Sequence, residues 1–494
     1  MIFAANSSRD ETLPLLHRSP KQASRYSDSA LVILNELYAV LELLGPVVFT
    51  LVNEFLPALT NVVLVGHMPS PDTKLYVDAT AVASMLFNIT SMSVVLGLAS
   101  AIDTLCTQAY GAGCVHKFGE YLQGAILGFV VFLIPVFILN WYADAILILL
   151  HQDPAISIMA GTFVRYSTFG LPFLCVYELV KRLLQAEQIT LPSAIVSVLG
   201  NVIHIVVGLY LTNYTSYGFL GAAIGRSVAY CCLPFLLALY FIWRPVHREW
   251  KLCWRLRPAA WTNMLVFLEF GMPGMVGLIV EWCAFEMLSL MSGLLPGLTI
   301  VLGVNSIMQT VYSLVYMLYV GIGTAACIRI GNFLGANQPE LAKMSTYVCF
   351  GVTVGFCLCS GAALYFTRQY LPILFVEDAQ IIERTATAML FLIPCHMIDS
   401  INCVTTGVLR AMGKQQIGVV VLSCSYYLVG LPAAVMFGFT FHWSIEGLWA
   451  GFTCGTTVAC VAYVFQLRAT NWQELADEAS ARVASPKLDS HAFQ

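Results

Sequence analysis

The chain has 494 residues, of which 59% are hydrophobic and only 11% charged, with a net charge of −4 and a mean hydropathy of +0.78. Soluble domains carry charge on about a quarter of their residues, so these values exclude a water-soluble globular protein and require a polytopic membrane protein. The small net charge carries no nucleic-acid signal, because membrane topology accounts for the basic residues.

In chain order, a polar tail comes first, residues 1–33, with no cleavable signal-peptide pattern. Within it Glu11-Thr-Leu-Pro-Leu15-Leu16 resembles an acidic dileucine sorting signal. Twelve apolar runs follow, each of the roughly 20 residues that a membrane helix needs. They centre near residues 50, 92, 131, 172, 200, 229, 277, 314, 354, 395, 425 and 455. The spacing divides the chain into an N-terminal lobe (34–243), a basic linker (244–262), a C-terminal lobe (263–467) and a tail (468–494).

Ionisable residues inside such runs are costly, about 2.5 to 3.5 kcal/mol each at mid-helix, and so point to function. The first run holds Glu42, Asn53, Glu54 and Asn61, of which Glu42 is near enough to the entry to reach headgroups and Glu54 is deep. In the fourth run, Glu178 lies one turn from Lys181 and Arg182, a spacing that predicts a local ion pair. The seventh run contains Glu281-Trp282-Cys283-Ala284-Phe285-Glu286 after Pro273, and its two acids are about 140° apart on a helix. A carboxyl group withdrawn from water favours its neutral form, which suits proton coupling, although a hydrogen-bonded structural acid fits the same pattern. In the eighth run Tyr312, Tyr316 and Tyr319 share a face and, with Trp282, are either packing or the lining of a cation path. The tenth run places His396, Asp399, Asn402, Cys403 and Thr406 on one stripe after Pro394, with no lysine or arginine within a turn of Asp399.

The two halves repeat one another. Gly97–Gly113 reads GLASAIDTLCTQAYGAG, and 224 residues later Gly321–Asn337 reads GIGTAACIRIGNFLGAN. The offset persists, drifting to 225 and 222, between Gln152-Asp153-Pro-Ala-Ile156 and Glu377-Asp378-Ala-Gln-Ile381 and between Leu171-Pro172 and Ile393-Pro394. Six runs per half is an even number, so the duplication is parallel and both termini share one side. Arg9, Arg18, Lys21 and Arg25 in the first tail, Arg244 to Arg257 in the linker, and Lys181, Arg182, Lys343, Arg410 and Lys414 in even-numbered loops place that side in the cytosol. The 16 cysteines scatter through apolar runs without zinc-type spacing and read as small hydrophobes. Asn213-Tyr-Thr215 is a glycosylation sequon on the opposite side.

Four segments together resemble the multidrug and toxin extrusion (MATE) family, eukaryotic branch: ALTNVVLVGH ending at His67, the Gly97 block, EWCAFE from Glu281, and RIGNFLGA from Arg329. The resemblance spans about residues 38–467. It implies an all-α membrane protein of twelve transmembrane helices in two six-helix lobes. It also implies an exporter of organic cations and xenobiotics in exchange for H+, less readily Na+, by alternating access, and not an enzyme. Glu281, Glu286 and Asp399 match the family's acids, and His396 matches the animal-type histidine. Asn61 stands where several prokaryotic relatives place an essential aspartate, and Cys283 replaces the second tryptophan of the family's EWW motif. A related lipid-linked oligosaccharide flippase is the alternative, for which basic residues would line the lumen. The expected partners are small organic cations and the bilayer, with no nucleic acid, no metal and no bound cofactor. The chain is expected to act as a monomer in the plasma membrane or, alternatively, in an acidic vesicle or vacuole.

Overall fold

The computed structural model describes residues 29–68, 70–252 and 259–484, and among them there are helices and connecting turns but no strands. The dileucine pair Leu15-Leu16, the basic residues of the first tail, and Arg255 and Arg257 lie outside the described residues. Among the described residues eleven helices are long and apolar enough to cross a membrane, from Ala30–Gly66 to Ser444–Arg468. Helices are what such runs form, because hydrocarbon offers no partner for an open backbone N–H or carbonyl. The fourth span is made of two pieces, Pro154–Thr168 and Leu171–Ala186. Pro172 sits in the first turn of the second piece, where it has no N–H to give back to the preceding helix. With this broken span the count is twelve, centred where the apolar runs are.

The repeated sequence segments have repeated structural jobs. Asp153 accepts from the N–H groups of Ala155 (2.8 Å) and Ile156 (3.2 Å), capping the fourth span. Asp378, 225 residues later, accepts from Gln380 (2.8 Å) and Ile381 (3.4 Å) to cap the tenth span, Ala379–Met412. Three π-helical turns interrupt the regular geometry: Asn88–Met92 in the second span, Thr73–Gly111, and Cys424–Gly430 and Met436–Thr440 in the eleventh, Gln415–Thr440.

The helices gather into two compact units. One comprises the chain up to Gly45, Asp103–Val115 and Ala284 onward; the other comprises Pro46–Ile102 and His116–Cys283. In the first unit the end of the second span crosses the eighth, Leu298–Gly335, with two-fold regularity. A Cβ on Gly111 would lie 1.9 Å from the carbonyl oxygen of Asn332, and one on Gly335 would lie 2.0 Å from that of Gln108. Asn332 and Gly335 are the 224-residue equivalents of Gln108 and Gly111, so the glycines of the repeat are where the two copies touch backbone to backbone. Thr107 meets its own equivalent, Gly331, beside them. The same unit buries an ion pair between Glu36 and Arg329, with Arg329 Nε 3.0 Å from Glu36 Oε1 and Ser345 Oγ donating to that oxygen at 2.7 Å. Arg410 Nη1 bridges to Asp103 at 3.2 Å.

In the second unit Lys181 Nζ lies 2.8 Å from Glu54 and 2.7 Å from Glu178, and Arg182 Nε lies 3.7 Å from Glu178. This corrects the assignment of Lys181, Arg182, Lys343 and Arg410 to loops: all four belong to helices. A lysine can stay inside the fourth span because two carboxylates surround it.

Candidate functional site

Asp399 sits at the middle of the tenth span, one and a half turns beyond Pro394, and is only 1% exposed. Its carboxylate accepts from two phenols: Tyr312 of the eighth span, and Tyr426 at 2.9 Å from the π-helical turn of the eleventh. The wider turn at Cys424–Gly430 places Tyr426 there. Among the described residues no basic side chain comes within ion-pair distance of Asp399. An ionised carboxylate accepts only, and both phenols are oriented as donors to it.

His396, one turn earlier and also 1% exposed, places Nε2 3.1 Å from Ser360 Oγ of the ninth span, Pro339–Thr367. Tyr319 closes that chain with its hydroxyl 2.7 Å from the same oxygen. The His396 ring lies edge-on to Tyr319 at 5.1 Å and to Tyr312 at 6.4 Å. Around this core Tyr312 stacks on Tyr316 at 5.6 Å, and Phe285 contacts both Tyr312 (5.2 Å) and Phe452 (5.0 Å), which in turn meets Tyr426 at 4.9 Å. The structure therefore brings Asp399, His396, Tyr312, Tyr316 and Tyr319 together in one aromatic cluster of the first unit. Tyr426, Ser360, Phe285 and Phe452 belong to it too, and sequence periodicity did not single them out.

The remaining candidates lie elsewhere. Glu286 is half-buried one residue after Phe285, in the first unit. Glu281 and Trp282 are half-buried in the part of the seventh span, Ala259–Ser292, that belongs to the second unit. Glu54 is held by Lys181, with Tyr177 OH at 3.2 Å. Asn61 pairs with His204 Nε2 at 3.0 Å. No cluster of three or more histidine, cysteine or acidic side chains suited to a metal occurs among the described residues.

A cluster of this kind can hold one positive charge against Asp399, with aromatic faces for an apolar body, or a proton on Asp399 itself. The MatE family model matches residues 46–210 and 273–436. The chain is 33% identical over 427 residues to Protein DETOXIFICATION 17 of Arabidopsis thaliana, covering 86% of this chain and 88% of that protein. It is 31% identical over 445 residues to multidrug and toxin extrusion protein 1 of Homo sapiens, covering 90% and 76%. Among solved structures it resembles the eukaryotic MATE transporter AtDTX14, with a TM-score of 0.85 and 30% identity over 92% of this chain and all of that one. The bent form of the Vibrio cholerae MATE transporter VcmN has the same fold at 15% identity, with a TM-score of 0.77 over 92% and 99%.

Proposed function

This chain belongs to the MatE family of multidrug and toxin extrusion transporters, with the twelve-helix, two-lobe fold of that family, and on that premise we propose that it exports organic cations in exchange for protons. The observation that carries the reading is Asp399: a buried carboxylate with two phenol donors, aromatic neighbours and no basic partner among the described residues.

With the site open to the cytosol, ionised Asp399 attracts the cationic group, and rings such as Tyr316 meet its apolar part. After outward opening, a proton from the acidic side neutralises the carboxylate and releases the cation. Protonation also changes the hydrogen bonds. A carboxylic acid has an O–H of its own to donate, so a partner such as Tyr312 or Tyr426 can turn from donor to acceptor. The eighth and eleventh spans thereby sense the protonation state of the tenth. Glu281 and Glu286 act as further acids of the cation path, with His396 orienting the tenth-span site through Ser360. Each pH unit supplies about 1.4 kcal/mol per proton, enough for roughly tenfold accumulation of a monovalent cation in one-to-one exchange. Residues 34–243 and 263–467 serve as the rocking lobes, in a monomer at the plasma membrane with cytosolic termini.

The test is uptake of tetraethylammonium into proteoliposomes with an acidic interior, at clamped voltage and without sodium. Wild type should accumulate the cation only with the pH gradient, and Asp399→Asn and Glu281→Gln should not, although both elute as monodisperse protein. Flux indifferent to pH, or intact coupling in both variants, refutes proton antiport through these acids.

A further inference from the structure

Three cations are almost completely buried among the described residues: Lys181, Arg329 and Arg226, at 3% to 4% exposure. Lys181 is paired with Glu54 and Glu178, and Arg329 with Glu36. Arg226 differs. It lies in the sixth span, Leu220–Trp243, where among the described residues no carboxylate oxygen comes within 4.0 Å of it. Its neighbours are instead Tyr230, whose hydroxyl accepts from Nε at 2.9 Å, and the faces of the Phe87 and Tyr230 rings at 4.6 and 5.4 Å. A guanidinium has five N–H donors, so a single neutral acceptor leaves most of them unused. In membrane proteins a buried charge with no opposite charge is expensive and marks a ligand or ion path.

The surroundings are built to place it. The fifth span, Leu191–Tyr214, approaches the sixth so closely that a Cβ on Gly225 would lie 2.8 Å from Gly208 Cα and 3.3 Å from the His204 carbonyl. Arg226, the next residue, thus starts from the turn that carries His204. There the pair of His204 and Asn61 is fully buried, and Asn61 Nδ2 has no hydrogen-bond partner. A guanidinium without a counter-ion asks for a compact acceptor of negative charge.

We propose that Arg226 holds an anion in the second unit, between the first, second, fifth and sixth spans. The ligand is a small monovalent anionic group, either an inorganic halide or the carboxylate of an organic solute. This site is separate from Asp399 and of opposite sign. An exporter with both can accept a zwitterion or can require an anion for the stability of this helix group. Nothing in the proposal depends on proton coupling.

The experiment is thermal unfolding of the purified full chain, titrated with sodium chloride or sodium acetate against sodium sulfate at matched ionic strength. Wild type should show a saturable rise in Tm of about 2 °C or more with one of the monovalent anions and not with sulfate. A response to chloride alone identifies the halide, and a response to acetate identifies the carboxylate. Arg226→Gln should lose the response, and Arg226→Lys should keep it at a higher anion concentration. If Arg226→Gln does not fold, the Arg226→Lys shift in half-saturation decides the question. No anion-specific stabilisation of wild type, or the same titration in wild type and Arg226→Lys, overturns the proposal.

Discussion

Asp399 and its two phenols pose a question that mutation can answer at the level of single atoms. A hydrogen bond to a charged group contributes about 1.5 to 3 kcal/mol, and the bond from Tyr426 is made to the ionised carboxylate that binds the cation. Tyr426→Phe should therefore weaken cation binding by about tenfold or more at neutral pH. Because the lost donor favoured the ionised form, protons compete better in the variant. Raising the pH on the cation's side should restore its affinity, and measuring KM for tetraethylammonium from pH 6 to 9 tests this. A KM that is equally raised at every pH would instead mean simple loss of contact. The buried pair of Glu36 and Arg329 gives a contrasting case, because it lies away from this cluster and its charges cancel. Arg329→Met should cost about 3 to 5 kcal/mol by leaving Glu36 buried alone, whereas the double change Glu36→Met with Arg329→Met should recover most of that loss. Detergent-solubilised unfolding curves of the three proteins give the comparison.

At the scale of the helix, the glycines of the repeat explain why two distant segments resemble each other. Gly111 and Gly335 each face a carbonyl oxygen of the other copy at a distance no Cβ can occupy. Either Gly→Ala change should therefore lower stability by about 1 to 3 kcal/mol, and the double variant should lose less than the sum because both open the same crossing. Gly351→Ala and Gly355→Ala, in the ninth span, would meet nothing within 4 Å and should be neutral or gain up to about 1 kcal/mol from helix propensity. Tm values of the five variants separate close contact from propensity. Such features also show what a single sequence reveals. The apolar runs, the repeat that aligns Asp153 with Asp378, and the stripe carrying His396 and Asp399 are patterns along the chain, and all could be read directly. Tyr426 could not, because its position depends on a π-helical turn set by packing. Nor could the partnership of Lys181 with Glu54, 127 residues apart: a basic residue near an apolar run looks like a loop charge until its carboxylate is known.

Across the whole molecule, the fourth span decides the topology. Counted by length and hydropathy alone, eleven helices qualify, and an odd number would put the two termini on opposite sides. The pieces Pro154–Thr168 and Leu171–Ala186 escape that count for two physical reasons: Gly170 and Pro172 divide them, and Glu178, Lys181 and Arg182 interrupt the apolar run. Their charges are nevertheless internally compensated, so the broken span can cross at little electrostatic cost. If it crosses, six spans separate each residue from its equivalent in the second half, and the capping aspartates Asp153 and Asp378 face the same side. The sequon at Asn213, exposed at the end of the fifth span, then lies opposite both termini. In intact cells, a reporter fused before residue 1 and one fused after residue 494 should both be protected from external protease. A cysteine placed at Asn213 in a background otherwise lacking reactive thiols should be labelled from outside. Protection of one terminus only would mean that the fourth segment does not span, and would make the two halves inverted rather than parallel copies.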